Sequence, residues 1–240
     1  MSQLSVTDAI TQRISTRAFH RDRAVQLATL REIITLATRA PSGGNTQPWH
    51  VYVVGGAARD QLCQAAQAFV MSGGLATAAE EFAMYPSKHS TPPAPPSFIE
   101  RRRALGYAMY SLMGVDRKDK AGRAAAMGKN WDFFGAPVGI IVTVERSVDR
   151  NGWGHVGGLL QSICLLAEER GLATCLQEAW ANMGRTVYDQ LNIPENEIVW
   201  CGISLGYADK AAPVNTLKSD RAPLGEVAQF CGFDGPASKL

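Results

Sequence analysis

The chain has 240 residues, of which 46% are hydrophobic and 19% charged, and its formal net charge is +2. That composition can bury a full core and excludes a disordered chain. The near-balanced charge argues against a dedicated nucleic-acid surface, and Arg101, Arg102 and Arg103, the one dense basic cluster, read as a solvated helix face. The N-terminus has no apolar core long enough for a signal peptide, and the longest apolar run, APVGIIVTV, is about half the span of a bilayer. Five scattered cysteines without a C-x-x-C pair read as free thiols of a reducing cytosol, and the four histidines lack zinc-ligand spacing.

Residues 5–14 predict a helix started by Ser5 and Asp8, with Val6, Ile10 and Ile14 on one face. A second amphipathic helix carries Leu30, Ile33, Ile34 and Ala37 and is stopped by Pro41. WHVYVV follows as a strand closed by Gly55 and Gly56, and AARDQLCQAAQAFV as a helix. Residues 85–98 hold five prolines and must be a loop, and two charged surface helices follow. Residues 73–129 lack the strongly apolar residues for a core of their own, so they form an excursion and not a second domain.

APVGIIVTV is a strand buried on both faces. The next helix places Leu159, Leu160, Ile163 and Leu166 inward and ends at Gly171. A short strand LATCLQ, a helix before Pro194 and a strand EIVWCGISLGY complete the pattern. The tail from Ala208 shows no clear element and is expected to cross a surface, that of a partner included. No internal repeat is visible, and the mixture indicates one α+β or α/β domain.

Two motif matches fail on context. GISLG has the spacing of a hydrolase nucleophile elbow, but no helix-forming run follows it and no histidine lies after His155. GRAAAMGKN has one residue too many for a phosphate-binding P-loop, and Asn130 replaces the hydroxyl residue. A Rossmann glycine fingerprint is also missing. What core building leaves unexplained is three polar stretches: RISTR (residues 13–17), the loop with Ser42, Asn45 and Gln47, and TLKSDR (residues 216–221). Arginine forks with hydroxyl neighbours are natural ligands of a phosphate or another planar anion.

RISTRAF, APSGGNTQPWHVYVV, GLLQSICLLAEERGLATCLQEAW, WCGISLGYAD and NTLKSDRAPL, in this order, resemble the FMN-dependent nitroreductase family over residues 6–233. NWDFFGAPVG and APVN look most like the branch reducing nitrobenzoate- and nitrobenzene-type substrates. The resemblance implies an α+β fold whose central mixed, mostly antiparallel sheet is flanked by helices, in an intertwined homodimer. The whole of residues 1–240 would be one domain, with a lid at about 73–129 and a tail at 208–240 embracing the partner.

The resemblance also assigns FMN contacts. Arg13, Ile14, Ser15, Thr16 and Arg17 would lie along the ribityl phosphate and pyrimidine edge, and Arg221 with Lys218 or Ser219 would complete the phosphate clamp. Pro41, Ser42, Asn45 and Gln47 would serve the flavin of the other subunit or its own pyrimidine edge. Leu176, Gln177 and Glu178 would flank the ring system, Leu176 standing where the family often has proline. Asn130, or Lys129 one register away, would approach the flavin. Phe82, Tyr85, Phe98, Tyr107, Trp131 and Phe133 are the aromatic candidates for stacking on a substrate.

The implied activity is NAD(P)H-dependent reduction of nitroaromatics by a ping-pong cycle to nitroso or hydroxylamine products, in a cytoplasmic protein without nucleic-acid or membrane partners. Because the cofactor carries the hydride, no catalytic side chain or metal is required. The same fold could instead serve enones, quinones or halogenated phenols, or a non-catalytic FMN-binding storage or sensing role.

Overall fold

The computed structural model describes residues 4–77, 92–148 and 150–233. In chain order the helices are α1 (Val6–Gln12), α2 (Leu27–Ala37), α3 (Gly56–Met71), α4 (Gly74–Thr77), α5 (Pro96–Leu112), α6 (Lys120–Gly128), α7 (Arg150–Glu169), α8 (Arg185–Leu191) and α9 (Leu224–Val227). The strands are β1 (Trp49–Gly55), β2 (Val138–Glu145), β3 (Ala173–Gln177) and β4 (Glu197–Gly206). They form one sheet in the order β1-β2-β4-β3, every neighbouring pair antiparallel. The parallel component is the isolated bridge between Ser15 and Thr174.

β2 and β4 occupy the centre because both are nearly continuous apolar runs, and β2 is buried from Val138 through Val144. On one face α2 and α7 bury Leu30, Ile33, Leu159, Leu160 and Ile163 against Ile140, Val142 and Ile203. On the other face α3, α8 and irregular helical turns bury Leu62, Phe133, Trp180 and Val187 against Ile141 and Val199. The result is helices on both faces of an antiparallel sheet.

Two strand glycines explain how bulky aromatics reach that second face. The Phe133 and Trp180 rings stack with centroids 4.5 Å apart. A Cβ at Gly139 would stand 2.3 Å from Phe133, and one at Gly202 only 2.1 Å from Trp180. Gly202 therefore belongs to a packing floor, not to a nucleophile elbow. The serine of that motif, Ser204, is fully buried within β4.

Helix ends follow local chemistry. The Ser5 hydroxyl accepts the Asp8 N–H at 3.1 Å, and Asp119 accepts the Gly122 N–H at 2.8 Å. Gly171, at φ +67°, lets the chain leave α7. α1 differs from expectation: it ends at Gln12, so Ile14 is not helical, and Val6 and Ile10 are 72% and 53% exposed. The apolar face of α1 thus lies on the outside of the protomer. The tail carries two short elements, a 3₁₀ turn Pro213–Thr216 and α9, where none was expected.

At the far end of β1, the buried carboxylate of Glu197 accepts from Tyr52 at 2.9 Å and from Thr143, and meets His50 Nδ1 at 3.1 Å. Burial, then the Glu197 hydrogen bond and charge, pushes the Tyr52 phenol up to about 12. This network fastens the sheet corner and takes no part in the candidate site. Among the described residues no helix is long and apolar enough to cross a membrane.

Candidate functional site

The segment leaving α1 is extended, so its side chains alternate. Thr16 is the inward one, 1% exposed, with its N–H donating to Thr174 O at 3.0 Å. Its side chain therefore belongs to the core and not to a ligand. Arg13, Ser15 and Arg17 are half-buried, as is Ile14. Arg17 donates to Ser15 O at 3.1 Å, while the Arg13 guanidinium has no hydrogen bond or ion pair among the described residues. Two guanidiniums with unused donors thus flank the bridge to β3.

Asn215 ties the tail to this segment. Its Oδ1 accepts the Arg17 N–H at 2.8 Å, and its Nδ2 donates to Ala18 O and Asp209 O, both at 2.8 Å. Lys218 follows three residues later, so it lies within about 11 Å of Asn215 along the chain. Lys218, Ser219 and Arg221 are exposed, and Arg221 donates to Ser219 Oγ at 2.7 Å.

The end of β3 completes the group. Leu176 is 38% exposed, and Glu178 begins a 3₁₀ turn, Glu178–Asn182. Gln177 between them is buried: its Nε2 donates to Asn130 O at 2.7 Å, and its Oε1 accepts from Ser204 Oγ at 2.6 Å. The Gln177 side chain is consumed by this relay, so it positions Asn130 and the turn and is not free for a ligand. Asn130 Nδ2 in turn donates to Met127 O at 2.9 Å. Burial, ahead of the charges of Arg17 and Arg13, leaves the Cys175 thiol pushed up to about 11, so it is protonated and unreactive at neutral pH. Beside Arg13 and Lys210, burial still holds the Glu168 carboxyl above its ordinary value.

The loop at residues 41–47 folds on itself. The Ser42 hydroxyl accepts the Gln47 N–H at 3.0 Å, and Gln47 Nε2 donates to Asn45 O and Oδ1, both at 3.1 Å. Gly44, Asn45 and Gln47 all have φ near +50°, a conformation that Gly and Asn tolerate best. Pro41 is exposed at the base of the loop. The Gly43 N–H donates to His155 Nε2 at 3.0 Å, which fixes the loop to the start of α7. Arg13, in contrast, senses Cys164 and Glu168 near the end of α7. His155 and Glu168 are thirteen residues apart, about 20 Å along the helix. One protomer therefore brings residues 13–17, 130, 176–178 and 215 together, with residues 216–221 continuing from Asn215, and anchors the loop at the opposite end of α7.

The aromatic candidates divide. Trp131 and Phe133 are 2% and 0% exposed, so they are core residues and cannot stack on a substrate in this conformation. Phe98 and Tyr107 are exposed on α5. Phe82 and Tyr85 lie outside the described residues. Sequence reasoning missed the anchoring roles of Asn215, His155 and Ser204. Asn215 and Ser204 carried a signal, standing in NTLKSDRAPL and WCGISLGYAD, and His155 carried none.

A model of the nitroreductase family matches residues 10–207. The chain belongs to the nitroreductase family. The 4-nitrobenzoate reductase of Pseudomonas putida is 37% identical over 203 residues, spanning 85% of this chain and 86% of that protein. The nitrobenzene nitroreductase of Ectopseudomonas oleovorans is 34% identical over 227 residues, spanning 94% and 96%. The crystal structure of the FMN and NADPH-dependent nitroreductase NfnB from Sphigopyxis sp. strain HMH superposes with a TM-score of 0.90 at 39% identity, covering 96% of this chain and 100% of that one.

The residues gathered here fit a phosphate-bearing planar group of the kind such nitroreductases use. The unused donors of Arg13 and Arg17, with Ser15 and the Ser219–Arg221 pair, suit an anionic group. The exposed end of β3 offers backbone and apolar surface next to them.

Proposed function

We propose that the protein is an FMN-dependent NAD(P)H oxidoreductase that reduces nitroaromatic compounds, working as a homodimer. The observation carrying this reading is the bridge between Ser15 and Thr174, which sets the R-x-S-x-R arginines alongside β3, in a chain of this family. Arg13, Ser15 and Arg17, with Arg221 and Lys218 or Ser219, would hold the phosphate and pyrimidine edge. Leu176, Glu178 and Asn130 would border the ring system. FMN would supply hydride chemistry, with NAD(P)H as donor and the nitro group as acceptor in ping-pong order, to nitroso or hydroxylamine products. The chain's own part is to bind, orient and charge-balance: Arg17 favours an anionic flavin edge, and the neutral Cys175 thiol adds no competing redox group.

The second subunit follows from two features. The loop with Ser42, Asn45 and Gln47 is remote from its own clamp, so another copy would have to deliver it. The protomer also leaves apolar surface uncovered. A groove of about 290 Å³ between α1, α2 and α7 is lined by Leu4, Val6, Leu36, Leu165 and Leu166. Val227, Phe230 and Phe233 of the tail are at least 67% exposed. Patches of this kind mark interaction surfaces. Ile10→Glu is expected to shift the protein to monomer in sedimentation velocity and to weaken FMN retention with it. A dimer that keeps its flavin in this variant contradicts the assignment of the α1 face.

The acceptor is tested by reducing the protein anaerobically with NADPH and chasing with nitroarenes, enones, quinones and halogenated phenols. Nitroarenes are expected to reoxidise it at least tenfold faster than the others. Faster reoxidation by an enone, quinone or halogenated phenol would move the activity to that class.

A further inference from the structure

The arginine run expected to be a solvated face divides its members. Arg101 pairs with Glu226 of α9, whereas Arg103 turns into a cleft of about 690 Å³. α5, seventeen residues long, contributes no fully buried residue to the core. It presents Arg103, Tyr107, Tyr110 and Ser111 at i, i+4, i+7 and i+8, one side of a helix. The Val115 N–H donates to Tyr110 O at 2.9 Å and folds the following turn back, so that Val115, Asp116 and Arg117 line the cleft, with Arg123 of α6 opposite.

Three guanidiniums and two phenol rings therefore share one small-molecule-sized cavity. Arg117 lies over the Tyr107 ring, 5.2 Å from its centroid. Asp116 is the one acid on the lining, and its Oδ1 accepts the Lys118 N–H at 2.8 Å. Among the described residues the side chains of Arg103 and Arg123 make no hydrogen bond or ion pair. Uncompensated cations beside aromatic faces suit a flat ring that carries an anionic group. The chain leads from the cleft to the candidate site. Arg123 stands seven residues before Asn130, about 10 Å along the run from α6 into the 3₁₀ segment Lys129–Gly135.

We propose that this cleft binds a planar aromatic anion, its ring against Tyr107 and Tyr110 and its carboxylate or phosphate on Arg103 and Arg123. The proposal rests on the nitroreductase reading for its two sources of such a ligand: a carboxylated nitroarene, or the phosphorylated adenosine of the reduced nicotinamide donor. The neutral nitroarenes offer nothing to the arginines, so the cleft selects among acceptors or holds the donor.

Isothermal titration calorimetry on the purified full-length protein tests this, with benzoate for the first source, adenosine 2′-monophosphate for the second and benzamide as the uncharged control. One anion or both bind while benzamide does not, and Arg103→Gln and Arg123→Gln each weaken that binding about tenfold or more. Arg103→Lys, which keeps the charge but not the fork, recovers part of the loss. Benzoate binding alone identifies the cleft as an acceptor subsite, and binding of the nucleotide alone identifies it as a donor subsite. Absence of binding by both anions, or binding that both Gln variants leave unchanged, overturns the proposal. The readout is heat, so a protein that takes up no FMN defeats the nitroreductase reading without deciding this one.

Discussion

Arg59→Ala is expected to lower stability by about 3 kcal/mol and the thermal midpoint by roughly 6–12 °C, without removing any residue that faces the site. Arg59 is a charged residue of the core, 2% exposed. Its Nε donates to Ala136 O at 3.0 Å, its Nη1 to Asp60 at 2.8 Å, and its Nη2 to the Asp132 carboxylate at 2.8 Å and to Asp132 O. Truncation removes the Arg59 donors from the buried Ala136 carbonyl and the half-buried Asp132 carbonyl, the costly half of losing a hydrogen bond. Those carbonyls belong to the turn in which Phe133 and Phe134 sit at φ +48° and +53°, conformations that bulky residues adopt only when their surroundings impose them. The same turn starts at Asn130's neighbour, so FMN retention is expected to fall along with the midpoint. Arg59→Lys should recover little, because an ammonium cannot reproduce the fork. A midpoint within 2 °C of the parent would show that the turn holds itself, contrary to this account.

Arg13→Ala and Arg221→Ala are each expected to weaken FMN binding by about 1.5–3 kcal/mol, the scale of a charge-assisted hydrogen bond. The two act from different routes. Arg13 is placed by the Ser15 bridge to β3, and Arg221 by the Asn215 staple and the short run after it. Equilibrium dialysis against FMN and against riboflavin separates the roles: a phosphate contact loses affinity for FMN and little for riboflavin. Unchanged FMN dissociation constants in both variants would remove the phosphate clamp. Asn215→Ala is the positioning control, since it should affect FMN through Arg17 and the tail while touching no ligand itself.

Much of the fold was legible because the long elements have strong local signatures. β2 is apolar from Val138 to Val142, a run that marks a buried strand, and α7 repeats Leu159, Leu160, Ile163 at helical spacing, so local pattern located both. α1 was expected two residues too far, to Ile14, and its apolar stripe did not say what covers it. An apolar stripe records burial but not what buries it, and Val6 and Ile10 face outward in the protomer. Trp131 and Phe133 were misassigned by the same ambiguity, because a ring that stacks on a substrate and one that stacks on Trp180 have the same composition. Arg59 was invisible as a core residue, since its partners lie 73 and 77 positions away and only the folded chain brings their carbonyls to it.

The candidate site was legible in its chemistry and not in its geometry. The residue types of R-x-S-x-R pointed to a candidate anion site, but nothing local said that Thr16 turns inward or that Asn215 anchors the tail. Nor did the loop sequence reveal that Ser42, Asn45 and Gln47 bond to one another at the opposite end of α7 from the arginines. That separation is what the proposal of a second subunit rests on.

The absorbance spectrum of the purified protein, recorded with added FMN before and after anaerobic NADPH and then NADH, tests the central claim most directly. The account predicts a bound flavin spectrum that bleaches within seconds of adding one or both reductants and returns when a nitroarene is supplied. A protein that stays colourless with FMN present, or a bound flavin that neither reductant bleaches, would contradict it.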